Sequence, residues 1–313
     1  MKLSVGILTY NHENYIRQCL DSVLMQVVDF EYEIIVGDDA STDGTKEMLQ
    51  QYQRNYPDKF VLLLGDDNQG ISANYKRVLQ NCHGKYIALC EGDDYWTAED
   101  KLQKQVDFLE SHHEYGFVGA YSQLLFPDGE IKEDKYDYMT KPNMENGWEL
   151  YGDVFEYAKS GPVTRTVSLC FRRSLIEPYI KYEGSGCDLV LQTILAKHSW
   201  FAKYDQPMTM YRQGGVSTDR FDFEKKMYYN DWYVKNRLLQ KSLFPNDCNW
   251  DENELMDRGD YLKLQKAIQT RNWREAMKAK NKLRTETYRN KAYSKWMFGP
   301  LSCLVLSMII NKK

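Results

Sequence analysis

The 313-residue chain contains no C-x-x-C pair. Its seven cysteines are an odd number at scattered positions, which fits neither a disulfide framework nor a zinc site and reads as reduced packing residues. The opening MKLSVGILTYN lacks a charged leader followed by a long apolar core, so no signal peptide is expected and a reducing cytoplasm is the default. No G-x-G-x-x-G follows the first apolar run, and G-x-x-x-x-G-K-[ST] is absent throughout, which argues against a dinucleotide site and a P-loop. Positive charge is scarce over most of the chain. From Tyr261 onward thirteen Lys and Arg face two acids, Glu275 and Glu286, giving +11; with a net charge of −4 the remainder carries −15. An acidic body is a poor partner for nucleic acid, which needs a basic footprint, whereas the basic end suits an anionic surface.

What is present is a globular composition, 42% hydrophobic and 27% charged, with 24 tyrosines that suit stacking on planar or sugar-like ligands. Apolar runs alternate with helical spacing. A strand is predicted over about residues 2–9, followed by a helix from Asn14 to Gln26 with Ile16, Leu20, Val23 and Leu24 on one face. EYEIIVGDD gives a second strand, Thr45 to Tyr56 a second helix, KFVLLLGDD a third strand, Ile71 to Gln80 a third helix, and GKYIALC a fourth strand. This order predicts an α/β fold whose parallel sheet is covered on both faces and binds ligands beyond the carboxyl ends of its strands.

Those ends are acidic: Asp38-Asp39, Asp66-Asp67-Asn68, and Glu91-Gly92-Asp93-Asp94. Clustered carboxylates repel unless hydrogen-bonded, paired or metal-bound. Helix N-capping accounts for Asp43 and Asp66. It cannot employ three acids at once in CEGDDYW, which points to a cation there. A diphosphate without glycine-rich amides around it needs a metal, and hard oxygen ligands suit Mn2+ or Mg2+.

LTYNHENYI, VGDDASTDGT, DNQGISANY and CEGDDYW, in this order, resemble the inverting glycosyltransferases of family 2 over roughly residues 1–220. The resemblance implies a GT-A fold, a Rossmann-like, mostly parallel sheet flanked by helices. It also implies inverting transfer of a sugar from a nucleotide-diphosphate donor, commonly a UDP-sugar. Carried over, Thr9, Tyr10 and Asn11 hold the base and ribose, Asp39 bonds the base, and Asn68 and Gly70 line the nucleotide. Asp93 or Asp94 holds the metal, and Glu91, where the family usually has Asp, faces the ribose or the metal's outer shell. Asp188 in GSGCDLVLQTILA matches the general base, its alternative reading being a helix N-cap. YRQGGVST matches the segment that closes over the diphosphate at Tyr211, Arg212 and Ser217 but lacks its His; Arg212 offsets diphosphate charge or makes an ordinary ion pair. No Q-x-x-R-W follows Asp188, which argues against a processive polymer synthase.

His12 reads as structural or accessory, Trp96 as a packing residue, and His112-His113 as solvent-facing or complementing a helix dipole. Tyr121 to Pro162 reads as loop and turn, a place for acceptor recognition. The predicted domain plan is a nucleotide-sugar half (1–100), an acceptor half (101–220) and a helical region (221–313). LKLQKAIQTRNWREAMKAKNKL forms a helical hairpin turning near Asn272. Leu301 to Ile310 is too short to span a bilayer, and behind a basic stretch it fits peripheral attachment to an anionic membrane, on the inner face of the cell membrane. A lipid-linked acceptor, a polyprenyl-linked glycan, would follow from that. The alternatives are a nucleotidyltransferase and a non-catalytic sugar-nucleotide-binding scaffold.

Overall fold

A computed structural model describes residues 1–134, 142–181, 188–214, 223–248, 250–289 and 291. The chain forms two compact units, Met1–Thr218 and Asp219–Lys313.

The first unit opens with β1 (Leu3–Thr9), α1 (Ile16–Leu24), β2 (Tyr32–Asp38), α2 (Thr45–Asn55), β3 (Phe60–Leu64), α3 (Ile71–Gln80) and β4 (Tyr86–Glu91). It continues through β5 (Tyr95–Trp96), α4 (Lys101–Ser111), β6 (Tyr115–Leu125), β7 (Ile131–Glu133), β8 (Asn143–Glu145), β9 (Trp148–Gly152) and α5 (Phe155–Ser160). It ends with β10 (Cys170–Arg172), α6 (Glu177–Lys181), α7 (Asp188–His198) and β11 (Trp200–Arg212). The sheet runs β3-β2-β1-β4-β10-β6-β11-β9-β8, with β5 added to β11 and β7 to β6. β3, β2, β1 and β4 are mutually parallel; β10 is antiparallel to both of its neighbours.

Alternation within β1 explains the layering. Leu3, Val5 and Ile7 join one core with Ile16, Leu20 and Val23 of α1 and Leu102 and Val106 of α4. On the other face, Gly37 of β2 lets α3 come close, since a Cβ there would lie 2.4 Å from Val78 Cγ2. Such burial on both faces is why these strands read as continuous apolar runs. The five described cysteines outside the masked stretches, Cys19, Cys82, Cys90, Cys170 and Cys248, are buried and unbridged.

Three local expectations change. Asp66 caps no helix: it is exposed in the loop after β3, and α3 starts five residues later with Gly70 at its N-cap. Tyr121–Pro162 is not mainly loop, because Tyr121 lies within β6 and β7, β8, β9 and α5 follow. Asp43 is not the N-cap of α2 either, a position held by Gly44; it stands one residue before, with its Oδ1 accepting from Thr45 N (3.0 Å). Trp96 is buried and donates from Nε1 to Val167 O (2.8 Å). His112 stacks on Phe108 at 4.2 Å with Nδ1 3.1 Å from the Phe108 carbonyl, at the C-terminal end of α4, while His113 is exposed.

The second unit contains α8 (Phe223–Leu243), α9 (Glu252–Gln269) and α10 (Trp273–Lys282). Asp251 caps α9, and Asn272 caps α10 at the hairpin turn by accepting from Glu275 N (3.3 Å). Leu264, Ala267, Ala276, Ala279 and Leu283 form the hairpin's core. Among the described residues no helix is long and apolar enough to cross a membrane. Ser217 and the Leu301–Ile310 stretch lie outside the described residues.

Candidate active site

β1 lies between β2 and β4, so the chain leaves it toward one side of the sheet and later returns to the other. The crevice beyond such a reversal is where open α/β sheets bind ligands. The register sets Thr9 opposite Asp38 and Leu8 opposite Glu91. Thr9 is buried, and its hydroxyl has no hydrogen-bond partner.

The loops around this point are stitched together by side chains on main chain. Asn11 takes a left-handed conformation (φ 55°), accepts from Thr42 N at 2.8 Å, and donates its own N–H to Ser41 Oγ at 2.9 Å. Asp39 accepts from Gln69 N (2.9 Å) and Gly70 N (2.8 Å), so it clamps the third loop. Asn68 Oδ1 also accepts from Gly70 N (3.1 Å), and Gly70 sits at φ 85°, a region that costs other L-residues energy. His12 Nδ1 is buried without a partner; burial lowers the ring's pKa, against the raising effects of Asp93, Asp43 and Asp38.

At the end of β4 the carboxylates converge. Glu91 is half-buried, and its pKa is pushed up to about 8 by burial and then by Asp93 and Asp188, with Arg165 pulling the other way. Asp94 is buried: Oδ1 accepts from Arg212 N (2.8 Å), Oδ2 has no partner, and burial followed by Asp93 and Glu91 raises its pKa well above normal. Asp94 therefore ties the end of β11 to the loop after β4. Asp93 is the more open of the two aspartates.

Asp188 is the first residue of α7; Oδ1 accepts from Leu189 N (2.9 Å) and Oδ2 from the Thr166 hydroxyl (3.1 Å). It begins a helix and also lies close enough to Glu91 to raise its pKa. Tyr211 lies under the Arg165 guanidinium, 4.6 Å from the ring centre. Burial and then Glu91 and Asp94 raise its phenol's pKa, against Arg165. Arg212 is the last residue of β11. Its guanidinium donates to Gln18 and lies over the Tyr15 and Tyr95 rings, 5.1 and 5.2 Å from their centres.

Glu91, Asp93, Asp94, Asp188 and Tyr211 are thus drawn into one electrostatic neighbourhood, while Asp39, Asn68 and Gly70 build the adjoining loop. Arg165, Thr166 and Asp134 were not singled out from the sequence; no local motif marks them. A cavity of about 740 Å³, lined by Cys82, Lys85, Arg172, Arg173 and Glu177 among others, opens at the start of β4, the end opposite the acids.

Among the described residues no three His, Cys, Asp or Glu side chains form a metal-binding group. The donor set still fits a hard divalent ion. Such ions bind through one or two carboxylates and complete their shell with water and substrate phosphates, and Asp94 Oδ2 is a buried carboxyl oxygen without a partner.

Residues 4–177 match glycosyl transferase family 2. The chain belongs to this family. EpsE of Bacillus subtilis is 38% identical over 127 residues, 41% of this chain and 45% of its own length. The matched stretch covers less than half the length of EpsE and of other curated relatives such as TuaG of Bacillus subtilis. A crystal structure of S. aureus TarS 1-349 with UDP-GlcNAc superposes with a TM-score of 0.59 at 16% identity, over 91% of this chain and 82% of that one. The mannosyltransferase PcManGT from Pyrobaculum calidifontis, in complex with GDP-Man and Mn2+, gives 0.53 at 16% identity, over 99% and 80%. At these identities the structural likeness shows the fold, GT-A, with its Rossmann-like sheet flanked by helices.

Proposed function

We propose that this family 2 member transfers a sugar, with inversion, from a nucleotide-diphosphate donor to a hydroxyl of a glycan or polyprenyl-linked glycan. The observation that carries this reading is the Thr166 hydroxyl's bond to Asp188 at the start of α7, from a segment whose Leu169 carbonyl accepts from Leu89 N of β4 (3.0 Å), beside the carboxylates at the sheet's reversal point. A UDP-sugar is the first donor to test, in line with the UDP-GlcNAc bound by TarS; GDP-Man in PcManGT makes guanine donors the second.

In this reading Thr9, Tyr10 and Asn11 hold the base and ribose. Asp39 reaches the base with the acceptor capacity left after it holds Gln69 and Gly70, since an ionised carboxylate has about four lone-pair sites. Asn68 and Gly70 line the nucleotide, and Glu91 meets the ribose. A divalent ion, Mn2+ or Mg2+, held by Asp93 with Asp94, would neutralise charge on the diphosphate as it leaves. Asp188 takes the acceptor hydroxyl's proton as that oxygen attacks the anomeric carbon, with Thr166 orienting the carboxylate. Tyr211 lines the diphosphate side, and Arg212 anchors the closing strand by its main chain. The halves 1–100 and 101–220 serve donor and acceptor, and the 221–313 region, through its tail, would hold the protein peripherally on the inner face of the cell membrane.

Turnover of a nucleotide-sugar panel, with and without Mn2+ and with a glycan acceptor, tests this. Asp188→Asn should lower kcat by about 10²–10⁴-fold, the usual contribution of a general base, while leaving nucleotide-induced thermal stabilisation intact. Undiminished turnover in that variant removes Asp188 as base. Release of diphosphate from a nucleoside triphosphate would favour a nucleotidyltransferase. Binding without any turnover would favour a scaffold.

A further inference from the structure

Arg165 stands on a short, heavily fastened segment. Gln192 of α7 accepts from Val163 N (2.9 Å) and Thr164 N (3.2 Å) and donates to Thr164 O (3.1 Å). Trp96, just after the acidic loop, donates to Val167 O, and Gln105 of α4 donates to Ser168 O, both at 2.8 Å. The Thr164 and Ser168 hydroxyls share a 2.7 Å hydrogen bond, and both residues are buried. The segment therefore joins the loop that carries Asp93 and Asp94 to the helix that begins with Asp188. Its next residue, Thr166, makes the bond to the Asp188 carboxylate.

From this base the Arg165 side chain reaches two further elements. Nε donates to Asp134 Oδ2 (2.5 Å) and a terminal nitrogen donates to Asp134 Oδ1 (3.2 Å), a two-point grip on a carboxylate that is itself 8% exposed. The guanidinium plane then covers the Tyr211 ring. A planar fork with fixed donor directions suits this task; a lysine ammonium could offer the charge without the orientation. Arg212, by contrast, has its guanidinium engaged with Gln18, Tyr15 and Tyr95.

We propose that Arg165, gripped by Asp134, is a positioning residue for the transfer step, holding Tyr211 and the Thr166–Asp188 corner in register with the carboxylates at the end of β4. It acts through those residues and contributes nothing to the nucleotide pocket built by Thr9, Asp39 and Gly70. The inference rests on the transferase reading of the site.

Arg165→Lys, Arg165→Ala and Asp134→Asn test it in the full-length chain, with kcat, donor KM and UDP-induced thermal stabilisation measured for each. The expected result is a kcat lower by on the order of 10²-fold, the scale of a misplacement of about 1 Å, with donor KM and UDP stabilisation changed far less. Added guanidinium should restore part of the turnover of Arg165→Ala and none of Asp134→Asn. Wild-type kcat in Arg165→Lys overturns the proposal. So does a parallel fall in kcat, UDP stabilisation and melting temperature, which would make the pair merely structural. If the unmodified protein turns over no donor, the transferase reading fails, and a melting-temperature cycle between Arg165→Ala and Tyr211→Leu still decides the positioning claim. Coupled shifts retain it and additive shifts overturn it.

Discussion

Glu91 concentrates the electrostatic problem of this site in one side chain. Its carboxyl titrates from an ordinary 4.5 up to about 8, driven first by burial and then by Asp93 and Asp188. Between those values the folded protein binds more protons than the unfolded chain. Stability must therefore fall as pH rises through the window, the reverse of a salt-bridged carboxylate. Asp94, raised by burial and the same neighbours, acts in the same direction. The melting temperature of the ligand-free protein should decline from pH 5 to pH 8, and Glu91→Gln should flatten that decline. Thermal scans across the range check this; a wild-type profile that is flat, or that climbs with pH, would falsify the assignment of strain to this acid. Asp39, in the neighbouring loop, has both oxygens met by the N–H groups of Gln69 and Gly70. The departure from the family's usual Asp at position 91 thus falls on the acid whose pKa is raised by both Asp93 and Asp188.

Among the elements, α3 is bonded directly to the end of β2. Asn74 donates to Gly37 O (2.7 Å) and accepts from Arg77, whose guanidinium also donates to Asp38 O (2.8 Å). A methyl group at Gly37 would meet Val78 Cγ2 at 2.4 Å and Asn74 Oδ1 at 2.5 Å. Gly37→Ala should therefore lift α3 from β2 and cost about 1–3 kcal/mol, the usual penalty for overpacking, read as a lower urea midpoint with weakened nucleotide binding. An unchanged midpoint would show that α3 moves freely. This half of the sheet was legible in the sequence because β1 to β4 are short apolar runs bounded by turn residues, with helical spacing between them. The other half was not. β11 includes Lys203, Asp205, Gln206 and Pro207 and shifts register against β6 on both sides of Pro207, so neither alternation nor an unbroken apolar run marks it. β7 and β8 are three exposed residues each, too short for a periodic signal. The site divides in the same way. Asp39, Glu91, Asp93 and Asp94 announce themselves at strand ends, and Asp188 is recovered through the family motif. Arg165 and Asp134 meet across 31 positions, a pairing that only the folded sheet creates.

For the whole molecule, the separation of charge is the feature that composition stated and structure gives a shape. Ala276, Ala279 and Leu283 bury one side of α10 and its end in the hairpin core, and Arg274, Lys278 and Lys282 follow at four-residue spacing on an exposed face. Lys278 also pairs with Glu275 (2.7 Å), a link between half-exposed groups that adds little stability and leaves the stripe net positive. Such a stripe, on a chain that continues into further basic residues and the apolar Leu301–Ile310, is suited to the headgroups of an anionic bilayer. Each lysine or arginine near such a surface contributes about 1 kcal/mol. Replacing Arg274, Lys278 and Lys282 together by Gln should weaken binding to phosphatidylglycerol vesicles by on the order of 10²-fold, with no effect on the hairpin core. Co-sedimentation at low and high salt measures this, with phosphatidylcholine vesicles as the uncharged reference and a chain shortened by residues 296–313 alongside. Salt-sensitive binding that both changes reduce would assign attachment to stripe and tail together. Equal binding to both lipids, or partitioning indifferent to the triple substitution, would take α10 out of the interface and leave its charge as a solvated face.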